Sequence, residues 1–297
     1  MHTALECIPC FVRQALEAAR FVTDDPGIHE RLVREVLRAT AEMDLSQSPP
    51  MIACRIHRSL RSMTGVTDPY NRAKEAFNRM ALAMYEELEM ATASSADPLD
   101  MAVRLAIAGN VIDLGVNGTL TEAQARASLD NALDEPLCGD TADFRRAVES
   151  ARNILYLADN AGEIVFDRLL VERLGSHKVT LAVRGGPILN DATIDDAKAA
   201  GLCDIVKVID NGSDAPGTVL GECGDEFRRA FAGADLIISK GQGNFETLSD
   251  ELANIFFLFK VKCPTIANHV GLPLGSHVLL PSEAGRMRDE RLLKERV

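Results

Sequence analysis

The sequence predicts an α/β protein in which an N-terminal helical domain packs on a three-layer α/β/α, Rossmann-like domain with a mainly parallel sheet. Two observations predict this fold. In the first half, three successive Ser-Pro or Asp-Pro pairs, at 48–49, 68–69 and 97–98, are each followed by an apolar pattern at helical spacing. In the second half, short apolar runs alternate with amphipathic stretches, which is typical of βαβ units with right-handed crossovers. We therefore expect a helical domain at 1–150 and an α/β domain at 151–297.

The helical half is divided by proline at the start of successive helices. Ser48-Pro49, Asp68-Pro69 and Asp97-Pro98 each pair a capping side chain with a proline that is tolerated in the first helical turn. A first helix is expected to end before Asp25-Pro26-Gly27. The further predicted helices lie at about 28–43, 49–63, 69–90, 98–114, 121–133 and 141–151.

In the second half, short apolar runs alternate with amphipathic stretches. Its short apolar runs predict strands at 154–158, 179–183, 205–209, 236–239 and 265–267, with an antiparallel edge strand at 278–280. Its amphipathic stretches predict helices at 162–174, 191–200, 225–232 and 245–259.

Composition restricts the class of protein. Hydrophobic residues make up 46% and charged residues 26%, which is typical of globular chains. A net charge of −12 argues against nucleic acid or an anionic membrane as partner. The N-terminus has no signal-peptide pattern, and seven scattered cysteines favour reduced thiols over a disulfide framework. We expect a cytoplasmic protein; the sequence does not indicate its oligomeric state.

Polar residues follow four of the predicted strands, at 159–163, 184–193, 210–213 and 239–246. Because the carboxyl ends of parallel strands meet at one edge of a sheet, these groups can converge on a cleft. Asp159, Asn160 and Asp191 supply the oxygen ligands that Mg²⁺ or Mn²⁺ prefers. The alternative is that Asp159 only caps the helix that follows it.

A second candidate feature is the segment Lys240-Gly241-Gln242-Gly243-Asn244, which opens a predicted helix. Backbone N–H groups at a helix N-terminus attract phosphate, and Lys240 adds a positive charge. The alternative is a tight turn without a ligand. The proximity of an acidic cluster favours the phosphate interpretation.

The helical half contains one polar interruption. Gly109 costs about 1 kcal/mol in a helix interior, and Asn110 and Asp113 stand on one face of an otherwise apolar segment. Either Gly109 marks a close contact between helices, or Asn110 and Asp113 form a polar wall of the substrate cleft. Cys7 and Cys10 form a CxxC pair that could be redox-active, half of a metal site with Cys54, or simply packed.

Taken together, these residues resemble the metal-dependent damage-control phosphatases, once described as domain of unknown function 89, with an ARMT1-like domain. The resemblance covers nearly the whole chain, and the CxxC pair is similar to the prokaryotic branch. Its carriers are Cys7-x-x-Cys10, Asp68-Pro69-Tyr70 with Lys74, Ala108-Gly109-Asn110 with Asp113, Asp159-Asn160-Ala161-Gly162-Glu163, Asn190-Asp191-Ala192-Thr193 and Lys240-Gly241-x-Gly243-Asn244.

The resemblance implies a divalent metal (Mn²⁺, Co²⁺, Ni²⁺ or Mg²⁺) held by Asp159, Asn160 and Asp191. It implies hydrolysis of small phosphomonoesters, such as sugar phosphates or damaged phosphometabolites, by a water that the metal activates. In this interpretation the catalytic residues are Asp159, Asp191 and Lys240, and the substrate- or phosphate-binding residues are Asn110, Asp113, Glu163, Arg184, Gly241, Gly243 and Asn244.

Two other functions stay open at this level. A non-catalytic protein that binds a phosphometabolite would use the same cleft without turnover. A methyltransferase would need a nucleoside pocket, and the first strand is not followed by the usual glycine-rich turn.

Overall fold

The computed structural model describes residues 1–112 and 122–285, so Asp113 lies outside the described residues. Its helices are α1 Cys7–Val22, α2 Pro26–Ala41, α3 Pro49–Thr64, α4 Asn71–Ser94, α5 Pro98–Ala108, α6 Glu122–Asp134, α7 Thr141–Ser150, α8 Glu163–Leu174, α9 Ile194–Ala199, α10 Asp225–Gly233, α11 Gln242–Leu248 and α12 Pro264–Val270. Its strands are β1 Leu137–Gly139, β2 Ile154–Leu157, β3 Val179–Val183, β4 Lys207–Asp210, β5 Leu236–Lys240, β6 Ile255–Lys260 and β7 His277–Pro281.

The seven strands form one sheet in the order β1-β7-β6-β5-β2-β3-β4. All neighbours are parallel except β6 and β7. The chain builds outward from β2 to β3 and β4 on one side, and from β5 to β6 on the other. The strand order therefore reverses between β2 and β5, which is where open α/β sheets bind ligands.

Helices cover both faces of the sheet, which confirms the predicted three-layer α/β/α arrangement. Along β2, Ile154 and Tyr156 face a core shared with α4 to α9, whereas Leu155 and Leu157 face α10, α11 and α12. The alternation follows from the two-residue period of a strand. Helices α1, α2 and α3 bury a separate core. Its residues are Phe11, Ala15, Ala18, Ala19, Leu32, Val36, Ile52, Ile56 and Leu60.

The predicted boundary at residue 150 stays a prediction. The described structure joins the two parts, because β1 at Leu137–Gly139 pairs in parallel with β7. Helix α5 also packs directly on α8: a Cβ at Gly109 would lie 2.7 Å from Cδ2 of Phe166. Gly109 is therefore a close contact between helices, as one of the two sequence hypotheses proposed.

The prediction for 245–267 was wrong. Helix α11 ends at Leu248, the apolar run Ile255–Lys260 is strand β6, and 265–267 lies inside helix α12, which begins at Pro264. Strand β6 is buried on both faces of the sheet, and such a continuous apolar run has no period that separates strand from helix.

The C-terminal strand was predicted in part. Strand β7 is antiparallel to β6, as expected, but it is not an edge strand, because β1 pairs with its other side. Strand β1, which has only three residues, was not predicted.

Candidate active site

The candidate site lies at the carboxyl ends of the neighbouring strands β2 and β5, and it is built from loops that follow β2, β3 and β5. Two of these loops are joined by main-chain hydrogen bonds. Ala161 N donates to Asn190 O at 2.8 Å, Ala192 N donates to Asp159 O at 2.8 Å, and Asn160 and Asp191 form an isolated β-bridge. The fold thus brings the three predicted metal ligands Asp159, Asn160 and Asp191 together.

Asp159 does not cap the helix that follows it. The N-cap of α8 is Gly162, with φ of 79° and no side-chain capping bond. Instead, Oδ2 of Asp159 accepts hydrogen bonds from Nδ2 of Asn160 at 2.8 Å and from Nδ2 of Asn110 at 3.4 Å. Its other oxygen, Oδ1, faces Nη2 of Arg184 at 3.6 Å. The carboxylate therefore faces polar groups from three segments of the chain.

Arg184, directly after β3, is held on two sides. Its Nε donates to Oδ2 of Asp191 at 2.6 Å, and its Nη1 donates to Oδ1 of Asn244 at 3.2 Å. Asn244 is itself fixed, since Nδ2 donates to Lys240 O at 2.7 Å and Oδ1 accepts from Thr218 Oγ1 at 2.8 Å. The remaining nitrogen, Nη2 of Arg184, is buried without a hydrogen-bond partner. It faces Oδ1 of Asp159 at 3.6 Å, beyond hydrogen-bonding distance, so its hydrogens make no hydrogen bond.

Lys240, the last residue of β5, lies fully buried behind the turn. Its ammonium donates to Ala106 O at 2.7 Å, to Oε1 of Glu163 at 2.6 Å and to Oδ1 of Asp167 at 2.5 Å. Although burial alone would lower the pKa of Lys240, the charges of Asp167 and Glu163 raise it above its usual value. All three ammonium protons are used within the protein, which leaves none for a phosphate in this arrangement. The contact of Lys240 with phosphate stays a prediction.

Glu163 connects this lysine to the turn. Its Oε2 accepts from Nδ2 of Asn110 at 2.8 Å and from Nδ2 of Asn160 at 3.1 Å. Asn110 lies in a 3₁₀ turn that continues α5, and its Oδ1 is buried without a partner. Asn110 therefore contacts the turn that carries Asp159 and Glu163, and its Oδ1 has no hydrogen-bond partner. Its part in binding substrate stays a prediction.

The two glycines after β5 are required by close packing. Gly241 has φ of 80°, and a Cβ there would lie 2.0 Å from Oδ2 of Asp159. A Cβ at Gly243 would lie 2.4 Å from Pro216 O. Gly241 N already donates to Leu258 O at 3.0 Å. The part of these residues in binding phosphate stays a prediction.

We name the connected group Asp159, Glu163, Asp167, Asp191, Arg184 and Lys240 the sheet-end cluster. Its carboxylates outnumber its cations by two, and all six residues are at least nine-tenths buried. Burial raises the pKa of Asp159 well above its usual range; the charges of Glu163 and Asp191 raise it further, and Arg184 opposes them. Such an excess of buried negative charge, next to unpartnered Asn110 Oδ1, fits a divalent cation.

A cavity of 690 Å³ adjoins the cluster at Arg184. It lies between α4 and the ends of β3 and β4. Charged and amide side chains dominate its lining, which includes Asp68, Lys74, Asn78, Arg184, Asp196 and Asp210. The cavity has the size of a small-molecule site.

Sequence reasoning missed Asn78 and Asp167. Oδ1 of Asn78 accepts from Gly162 N at 2.7 Å, and its Nδ2 donates to Oδ1 of Asp196 at 2.8 Å. Asp167 is fully buried and accepts from Tyr156 Oη at 2.7 Å. One signal was readable: Asp167 interrupts an otherwise apolar stretch of α8, four residues after Glu163 and therefore on the same helix face.

A second acidic group lies at α3. Ligand atoms of Cys54, Asp214 and Glu222 lie within 4.8 Å of one another. Arg58 pairs with both carboxylates, and Arg61 pairs with Asp214. We name these five residues the α3 cluster; its two acids are matched by two cations.

The N-terminal CxxC pair is not part of the α3 cluster. Cys7 begins α1, and Sγ of Cys10 accepts from Nη2 of Arg13 at 3.7 Å. Both thiols are free and half-buried. The role of the pair, and with it the prokaryotic branch, stays a prediction.

Comparisons with known proteins identify the family of the chain. The family model of the damage-control phosphatase ARMT1-like domain matches residues 3–278. The chain is 37% identical over 280 residues to a damage-control phosphatase of Archaeoglobus fulgidus, covering 92% of this chain and 96% of that protein. It is 34% identical over 286 residues to a damage-control phosphatase of Pyrococcus horikoshii, covering 94% and 98%.

Solved structures give the same result. A DUF89 family protein from Pyrococcus horikoshii superposes with a TM-score of 0.85 at 32% identity, covering 95% of this chain and all of that one. Among the described helices, none combines the length and apolar character needed to cross a bilayer. Because the family model spans almost the whole sequence, the chain belongs to the damage-control phosphatases with an ARMT1-like domain.

Proposed function

We propose that this protein is a metal-dependent phosphatase that hydrolyses small phosphomonoesters, in keeping with the names of its relatives. The charge balance of the buried sheet-end cluster carries the proposal: it has two more carboxylates than cations. Nη2 of Arg184, which makes no hydrogen bond, adds a donor for an anion. A bound divalent cation would balance the excess carboxylates, and a bound phosphate ester would accept from Nη2 of Arg184. The proposed location is the cytoplasm.

Asp159, Asn160 and Asp191 are the proposed metal ligands. The two carboxylates and the amide oxygen form a hard donor set suited to Mn²⁺, Mg²⁺, Co²⁺ or Ni²⁺. When bound, such a cation lowers the pKa of water and polarises a phosphoryl oxygen. The protein's own part is to fix the ligands: Arg184 holds Oδ2 of Asp191, and Asn160 donates to Oδ2 of Asp159.

Arg184 is the proposed phosphate-binding residue. Its Nη2 has no hydrogen-bond partner, and the other nitrogens are held by Asp191 and Asn244, so the free N–H groups have a fixed direction. A preorganised, buried donor of this kind stabilises charge on a transferring phosphoryl group. The first-turn N–H groups of α11 remain candidates for a further contact, although Gly241 N is used by Leu258 O.

The cavity beside Arg184 is the proposed site for the organic part of the ester. Its lining offers carboxylates and amides that accept and donate hydrogen bonds, and none of the lining residues in the described ranges is aromatic. This chemistry favours a compact polar substrate over nucleic acid, which the net charge of −12 also disfavours. Asn110 lies on the other side of the turn and would approach the substrate from α5.

Hydrolysis of p-nitrophenyl phosphate tests the proposal. Purified protein is stripped with a chelator and assayed with each of the four metals, and metal binding is measured by calorimetry. We expect turnover that requires metal, and we expect Asp159→Asn to lose both turnover and binding. Asp214→Asn is the matched control, because it removes a carboxylate from the balanced α3 cluster; its metal binding should equal that of wild type.

Three outcomes would contradict the proposal. Turnover in the stripped protein would exclude metal dependence. Tight phosphate-ester binding without turnover in any metal would instead indicate a binding protein, and stabilisation by S-adenosylmethionine without stabilisation by Mn²⁺ would indicate a methyltransferase.

A further inference from the structure

We infer that Asp167 is a positioning residue: through Lys240 it fixes Glu163, and through Glu163 it sets the amide orientation of Asn160 and Asn110. The inference rests on the proposed function, since it concerns the same metal site. The hydrogen bonds and ion pairs described for Asp167 are with Lys240 and Tyr156, and none is with a proposed metal ligand. Among these contacts, the one that connects Asp167 to the site is its ion pair with Lys240.

The first link is the ion pair between Asp167 and Lys240. Oδ1 of Asp167 accepts from Nζ of Lys240 at 2.5 Å and from Tyr156 Oη at 2.7 Å. Tyr156 is fully buried in β2, so it fixes the carboxylate from the sheet. Asp167 thus holds the ammonium of Lys240, and Tyr156 holds Asp167.

The second link is Glu163. Lys240 occupies its Oε1 at 2.6 Å, which leaves Oε2 for the turn. Both Asn110 and Asn160 donate their Nδ2 to that single oxygen, at 2.8 and 3.1 Å. A carboxylate with one oxygen held by a lysine cannot rotate freely, so Lys240 sets the direction of Oε2 of Glu163.

The third link is the direction of the amides. An asparagine side chain has donors on one side and an acceptor on the other. Since Nδ2 of Asn160 points to Glu163 and Asp159, its Oδ1 takes no part in these contacts and is left for a cation. The same constraint leaves Oδ1 of Asn110 buried and unpartnered. If Glu163 lost its orientation, either amide could turn and present nitrogen, which binds no cation.

Mn²⁺ affinity of the stripped protein, measured by titration calorimetry, tests this inference without any substrate. Groups that orient metal ligands typically contribute about 10- to 100-fold to affinity, and we expect losses of that size in Asp167→Asn and in Lys240→Met. Ser239→Ala is the matched control: Ser239 is equally buried beside Lys240 but has no hydrogen-bond partner, so its Mn²⁺ affinity should be unchanged.

A double-mutant cycle separates positioning from simple charge. If Asp167 acted only through its negative charge, Lys240→Met would bind Mn²⁺ more tightly, and the double variant would return to wild-type affinity. If Asp167 acts by positioning, the double variant binds about as weakly as either single variant, because both break one chain of contacts. The first pattern would overturn the inference.

A milder variant guards against failure to fold. Tyr156→Phe keeps every charge and removes only the hydroxyl that fixes Asp167, and we expect a smaller loss of Mn²⁺ affinity. Unchanged affinity in this variant would overturn the inference even if Asp167→Asn did not fold. Wild-type protein that binds no Mn²⁺ would overturn the proposed function as well, whereas wild-type binding with an unaffected Asp167→Asn would overturn only the role of Asp167.

Discussion

Two acidic groups in this protein look alike by distance and differ in charge. The α3 cluster brings the ligand atoms of Cys54, Asp214 and Glu222 within 4.8 Å, yet Arg58 and Arg61 match its carboxylates. The sheet-end cluster is more deeply buried and has four carboxylates for two cations. Proximity of acids alone therefore does not identify a cation site. The difference between buried negative and positive charge is the better guide.

The neighbouring thiol supports the same distinction. Burial and the charge of Asp214 raise the pKa of Cys54 to about 12. A thiol with that pKa stays protonated at neutral pH in the metal-free protein, so it adds no negative charge to the α3 cluster. In the α3 cluster the arginines act as the counter-charge, so its residues hold α3 against the loop after β4.

The largest expected effect is on catalysis at the edge of the sheet-end cluster. Arg184→Gln removes the free N–H groups and the fixed contact to Asp191, and loss of one such preorganised donor typically costs about 100- to 1000-fold in kcat. Steady-state hydrolysis of p-nitrophenyl phosphate with saturating Mn²⁺ measures it. Arg58→Gln, in the α3 cluster, should leave kcat within about twofold; equal losses in both variants would remove the distinction between the clusters.

A second prediction concerns the main chain that touches the sheet-end cluster. Gly241→Ala places a methyl group 2.0 Å from Oδ2 of Asp159 at φ of 80°, so we expect a loss of about 2–4 kcal/mol in the free energy of unfolding. Gly271→Ala is the control, since Gly271 has φ of 70° and nothing within 4 Å of the added Cβ. It should lose only about 1 kcal/mol of backbone strain. Urea unfolding of both variants decides, and equal losses would show that the contact with Asp159 is not tight.

The third prediction compares the clusters directly in stripped protein. Asp159→Asn removes one of several crowded buried charges, so it should raise the free energy of unfolding by about 1–2 kcal/mol. Asp214→Asn breaks matched ion pairs of partly exposed groups and should lower it by about 1 kcal/mol. Chemical denaturation in excess chelator measures both. Opposite signs are the expected result; a loss of stability in Asp159→Asn would contradict the charge excess.

The smallest expected effect concerns Glu246, a buried carboxyl outside both clusters. Burial raises the pKa of Glu246 to about 7, although Gln242, the N-terminal ammonium and Lys262 oppose the rise, and the thiol of Cys7 also lies nearby. Between pH 4.5 and 7 the folded chain therefore holds a proton that the unfolded chain has released, so this group lowers stability as pH rises.

Glu246→Gln removes that titration. Relative to wild type, the variant should be equally stable below pH 4.5 and more stable above pH 7 by about 1 kcal/mol, a value reduced for partial exposure. Unfolding measured at pH 4, 6 and 8 checks this. A constant difference at all three values would show that ionisation of Glu246 is not its cause.

Much of the fold was predictable because local patterns dominate it. Proline marked the starts of α3 and α5, and the apolar runs at β2, β3 and β5 were found nearly to the residue. Strand β6 was missed because a run buried on both sides has no period. Strand β1 was missed because its pairing with β7 spans about half the chain and leaves no local trace.

The site was predictable as a set of residues but not as a geometry. The sequence indicated Asp159, Asn160 and Asp191 because each follows a strand, and a parallel sheet brings the carboxyl ends of its strands together at one edge. It did not indicate that Lys240 points into the protein, because the direction of a side chain depends on Asp167 and Ala106 O, which come from other elements.

Gly162 has a consequence for how the chain is made. Its N–H is held by Oδ1 of Asn78, a residue of α4 more than eighty positions earlier. During synthesis α4 leaves the ribosome well before the turn that carries Asp159 and Asn160, and domains fold as their parts emerge. The hydrogen bond between Asn78 and Gly162 forms only after the later segment has been synthesised and packs on α4. If synthesis pauses after α4 and before Gly162, the nascent chain has the helical segment but lacks the turn that carries Asp159 and Asn160.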